Sequence, residues 1–90
     1  MTQAIANPED LRQFALKLKQ FNDQLGEQAG MLAAQLETLA ATWRDQENAR
    51  FTEEFQQHLR LLAHFIDANN QHIPYLMRKA ERLDEYLQQR

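Results

Sequence analysis

Three histidines, His58, His64 and His72, carry most of the acid–base and metal chemistry open to this chain, and their spacing decides whether they can cooperate. They stand six and eight residues apart, not the four that would set two imidazoles on one helix face around a metal ion. Glu54 and His58 do have that spacing, but one such pair is common by chance. Glu53 and Glu54 point to neighbouring parts of one helix, and the other carboxylates are scattered over polar positions. The chain has neither serine nor cysteine, so neither a hydroxyl nucleophile of the serine type nor a thiolate is available. Two glycines cannot make a phosphate-cradling loop. We therefore assign no catalytic, cofactor-binding or metal-ligating residue and expect a protein that is not an enzyme.

The elements that carry these residues are long helices. Ninety residues make one small domain, 1–90, and the lack of cysteine removes disulfides and thiolate metal sites as staples. Gly 2 and Pro 2 leave little turn material, while Leu, Ala, Gln, Glu and Arg dominate. A formal charge of −3 gives no footprint for nucleic acid. The opening residues from Met1 have no basic stretch followed by an apolar one, so they do not read as a secretory signal. Leu59 to Ile66, the longest apolar stretch, is broken by Arg60 and His64 and falls far short of the ~20 residues of a membrane span. The expectation is a protein made in the cytoplasm, whose export, if any, uses no cleaved signal.

Asn7-Pro8-Glu9-Asp10 is a helix start: a capping side chain, a proline at the first helical position, and two acids at the positive end of the dipole. From there an apolar row runs Leu11, Phe14, Leu18, Phe21, Leu25, Ala29, Leu32, Leu36, Leu39, Trp43. Two heptad-like stretches are joined by a four-residue stutter at Leu25–Ala29. A second row runs Phe51, Phe55, Leu59, Leu62, Ile66, Asn69, Ile73, Leu76, Ala80, Leu83, Leu87, with Asn69 its one polar member. The pattern predicts helix one at about 8–42, a turn at about 43–46 and helix two at about 47–88, packed as an antiparallel all-α hairpin. Pro74 removes a backbone hydrogen bond, so a kink or short break is expected at about 69–74. Asn69 could set helix register or hydrate the freed carbonyls; both roles remain open.

One hairpin buries one stripe per helix, which leaves material for a partner. Leu61, Phe65, Ala68 and Tyr75 form a spare apolar row on helix two, and Gly26, Gly30 and Ala33 a row of small residues on helix one. These seven are the candidate interface, and a four-helix bundle from two chains is the expected assembly.

The turn carries a resemblance. A leucine-rich helix, then Trp43-Arg44-Asp45, then Phe51 eight residues after the tryptophan on a second long helix, resembles the WXG family, the small helical hairpins of type VII secretion. The Asn7-Pro8-Glu9-Asp10-Leu11 start is similar to the family's usual opening, and the likeness spans essentially the whole chain. It implies a secretion-system substrate or partner that acts by helix–helix pairing, as a homodimer or heterodimer with a related hairpin. An exposed Trp43 and Asp45 as a recognition patch for a secretion ATPase or partner is the alternative to a structural role for the tryptophan. Two positions depart from the family pattern. Asp45 stands where the family has glycine, and the C-terminal Tyr followed four residues later by an acid is absent: Lys79 follows Tyr75 and Arg90 follows Tyr86. The alternative is an intracellular adaptor or chaperone hairpin with no export role. Independently of the family, Trp43 at the tip is expected to cover the open end of the seam against Phe51 and Leu39.

Overall fold

The computed structural model describes residues 6–89. Helix α1 spans Pro8–Thr42 and helix α2 spans Glu47–Gln88, folded back on each other as an antiparallel hairpin. The rod measures 70 × 17 × 16 Å with a radius of gyration of 20.5 Å. A compact chain of this length would have about 12 Å. Among the described residues no helix is long and apolar enough to cross a membrane.

The caps follow from local chemistry. The Asn7 carboxamide oxygen accepts from the Glu9 and Asp10 amides at 2.8 and 3.4 Å, which satisfies two of the free donors of the first turn. At the other end α1 closes on an extended Trp43 (φ −89°, ψ 104°), whose N–H donates to the Leu39 carbonyl at 2.9 Å. Asp45 then starts α2: its side chain accepts from the Glu47 amide at 3.0 Å, and its carbonyl from the Asn48 amide at 3.2 Å. Among the described residues none has a positive φ. The tip therefore has no left-handed position to fill, which is the physical reason an aspartate can stand where a glycine was expected.

Helix α2 runs unbroken through Pro74, so there is no break at 69–74. Asn70, four residues earlier, is exposed, and water can serve the carbonyl that Pro74 leaves without a donor.

The seam of α2 is the expected row: Phe55, Leu59, Leu62, Ile66, Asn69, Ile73, Leu76, Ala80 and Leu83 are all half-buried or buried, whereas Phe51 and Leu87 are exposed. The seam of α1 departs from expectation. Its inward positions are Leu11, Ala15, Leu18, Asn22, Leu25, Ala29, Ala33, Leu36 and Ala40, while Phe14, Phe21, Leu32 and Leu39 are 45–59% exposed. Large α2 side chains fill the space between the helices, so α1 must present small ones for the backbones to approach. An alanine beside a phenylalanine then wins the inward place.

At the middle of the seam Asn22 is 2% exposed. Its amide donates to Asn70 Oδ1 at 2.9 Å and its carbonyl oxygen accepts from Asn69 Nδ2 at 3.2 Å. The buried carboxamide is thus bonded on both sides, which offsets its desolvation and pins the two helices at one level. Toward the open end Arg12 pairs with Asp84, and this hydrogen bond raises the arginine's already high pKa further.

Candidate pairing face

The exposed apolar residues lie in order. Phe14, Phe21, Leu32 and Leu39 each come immediately before an α1 seam residue, at Ala15, Asn22, Ala33 and Ala40. In α2, Phe51, His58, Phe65, His72 and Lys79 each come immediately before Thr52, Leu59, Ile66, Ile73 and Ala80. Seven-residue steps keep a row in constant relation to the seam. In two antiparallel helices, positions just before the seam residue fall on the same side of the pair. These rows therefore form one outer face, with Leu61, Ala68 and Tyr75 along its α2 margin.

Positions just after a seam residue make the opposite face, and its contacts confirm the geometry. Glu37 and Gln56 border one shallow groove with Leu36 and Leu59. Arg12 reaches Asp84 there, and Asn22 reaches Asn70. This second face is mainly polar, with Leu16 and Met77 as exposed apolar members. The outer face is apolar: Phe14, Phe21, Leu32, Leu39, Phe51, Leu61, Phe65 and Tyr75 are each 41–66% exposed. Polar residues are interspersed with them: Lys17, Gln24, Gln28, Gln35, Glu54, His58 and His72 also come immediately before seam positions, and Glu27 borders a groove with Phe21, Gln24 and Gln28 near the middle of the rod.

The structure distributes the seven candidate interface residues over both faces. Leu61, Phe65, Ala68 and Tyr75 are exposed on or beside the outer face. Gly26 follows Leu25 on the polar side, where an added Cβ would meet Ile66 of the same chain at 3.9 Å. Gly30 is open to solvent there, and Ala33 lines the groove between the helices. The glycines and the spare row of α2 do not form one surface. Sequence reasoning missed Phe14, Phe21, Leu32 and Leu39 as outward residues. The signal was the second in-phase row of small residues one position later, which competes for the seam.

At the tip, Trp43 is half-buried, with its ring centroid 5.5 Å from Phe51. Phe51 stacks on Phe55 at 5.7 Å, and Phe55 meets the edge of His58 at 6.3 Å. The three aromatic rings and the imidazole form a ladder up one end of α2, while Arg44 and Asp45 are exposed. Among the described residues no group of three or more His, Cys, Asp or Glu side chains could hold a metal ion, and His58, His64 and His72 are all exposed and separate.

No curated protein and no solved structure matches the chain. The family model for proteins of 100 residues with WXG, WXG100, matches residues 3–86, which takes in both helices and the tip between them. With the hairpin, the tryptophan at its tip and this match over nearly the whole length, the chain belongs to the WXG100 family of small helical proteins.

Proposed function

We propose that this protein works without catalysis, as a secretion-system substrate or partner that pairs through its outer face with another helical hairpin to make a four-helix bundle. The observation that carries the reading is the contiguous apolar face described above. Soluble monomers rarely expose so much ordered apolar surface in one place. The whole chain exposes 7508 Å². A compact monomer of its mass exposes about 5,500 Å². Covering the outer face would remove part of that excess, and a standard interface takes about 800 Å² from each partner.

Family membership supports an association with secretion, and the aromatic ladder with exposed Arg44 and Asp45 is the candidate contact for a secretion ATPase. An intracellular adaptor role is the alternative reading. A photo-reactive residue at Phe65 tests the pairing in the native cell, with the medium assayed as well. Cross-linking to a small helical protein is expected, and an extracellular pool of the linked pair would favour export over the adaptor. Cross-linking from Gly30 on the polar face, with none from Phe65, would contradict the assignment.

A further inference from the structure

We propose that the Asn22–Asn69–Asn70 clamp is a register lock. It adds little stability beyond what an apolar pair would give, and instead excludes hairpins whose two helices have slid past each other by one heptad. Because the register decides which residues make the turn, the clamp in mid-rod fixes Trp43, Arg44 and Asp45 at the tip.

The rest of the seam chooses a register only weakly. Helix α2 keeps an unbroken 4-3 alternation from Phe55 to Leu83, so sliding α1 along it by seven residues again sets seam positions on seam positions. Apart from Asn22 and Asn69, the inward residues of α1 from Leu11 to Ala40 and of α2 from Phe55 to Leu83 are all apolar. Volume discriminates little, because α2 presents a large apolar side chain at every one of these levels except Asn69 and Ala80.

The clamp does discriminate. In the observed register Asn22 accepts from Asn69 at 3.2 Å and donates to Asn70 at 2.9 Å. A slide of seven in one direction sets Asn22 against Leu76 and Asn69 against Ala29; in the other direction they meet Leu62 and Ala15. Both carboxamides then lose their partners inside the seam. Each unpaired group makes the slid hairpin rarer by roughly one to two orders of magnitude. The other contacts specific to this register are wet. Arg12 and Asp84 have side chains 31% and 38% exposed, so water screens their pair, and the Asp45 cap is exposed as well. Asn22, at 2% exposure, is the group whose lost partners water cannot replace.

A leucine pair at these two positions would fill similar space without the desolvation. A buried asparagine at one seam position of a coiled coil specifies register at a cost in stability, and the same trade is expected here. A slide of seven moves the turn by half that distance along the chain, three or four residues, and carries Trp43 off the tip.

Asn22→Leu/Asn69→Leu tests the lock. The chain has one tryptophan and no cysteine, so the indole N–H resonance counts tip environments and introduced thiols report without background. In a denaturant melt the double variant is expected to unfold at or above the midpoint of the unmodified chain, while its indole resonance splits into two or more. A short bis-maleimide reads the register directly. Glu37 and Gln56 border one groove, so Glu37→Cys/Gln56→Cys links within the chain in the observed register. Linking Glu37→Cys to Ala63→Cys or to Ala49→Cys, each about 10 Å farther along the axis, requires a slide. With the asparagines present the slid links should be several-fold weaker than the Glu37→Cys/Gln56→Cys link; with the leucines at least one should become comparable to it. A single indole resonance and an unchanged link pattern in the leucine variant would overturn the lock, because the register would then be set elsewhere. A marked fall in its melting midpoint would also overturn it, because the clamp would then act as a stabilising contact.

Discussion

At four levels of α1 a small residue faces the inner seam and a large apolar one the outer face, between levels where Leu11, Leu18, Leu25 and Leu36 face inward. Inward, the chain places Ala15, Asn22, Ala29, Ala33 and Ala40; outward, and one position earlier at four of these levels, it places Phe14, Phe21, Leu32 and Leu39. A helix selected only to stabilise this hairpin would turn its phenylalanines in, where each buried side chain contributes roughly 1.5–3 kcal/mol. The large residues outside are thus better explained by what must be covered there than by the fold of one chain. Helix α2 shows the contrast from its other side, since Leu59, Leu62, Ile66, Ile73, Leu76 and Leu83 do face inward and fill the space the alanines leave.

The sharpest way to break this comparison is to truncate one leucine on each side. Leu36, 7% exposed, is expected to cost about 2–5 kcal/mol as Leu36→Ala in a denaturant or thermal melt. Leu32→Ala, at 47% exposure, should cost much less in a dilute, dissociated sample. Equal losses would erase the distinction between seam and face. Filling the seam tests it from the opposite direction: Ala80 is 0% exposed, and Ala80→Leu is expected to cost about 1–3 kcal/mol through overpacking in the same melt. Asn22→Ala removes both seam hydrogen bonds and should cost about 1–2 kcal/mol, with faster amide exchange around Asn69. The smallest effect belongs at the tip. Asp45→Gly is expected to change stability by only a few tenths of a kcal/mol, because the Asp45 cap is lost but no left-handed residue is gained. A marked rise in melting temperature would show that the tip does strain against a side chain.

Much of the architecture was legible in the sequence. The two helices and the α2 seam follow from a 4-3 apolar alternation that runs longer along α2 than the spare row of Leu61, Phe65, Ala68 and Tyr75 beside it. The Asn7 cap follows from residue chemistry alone. The α1 seam was not legible in the same way, because apolarity does not distinguish Phe14 from Ala15 when both rows keep the same period. What decides between them is the volume of the α2 side chains opposite, which is a tertiary fact. Asn22 escaped notice for the same reason: a lone asparagine on a polar-looking stretch becomes a buried clamp only when Asn69 and Asn70 arrive across the seam. Phe65, Leu61, Ala68 and Tyr75 could be read as a spare row, but their companions on α1 lie among Phe14, Phe21, Leu32 and Leu39 and not at the glycines.

The central claim is that the outer face exists to be covered. Sedimentation equilibrium of the unmodified chain beside Phe21→Glu/Phe65→Glu, with helicity followed by circular dichroism, tests it most directly. The account predicts an assembly of two hairpins for the unmodified chain and a helical 10.6 kDa monomer for the double variant. Identical masses for the two, with helicity intact, would contradict it.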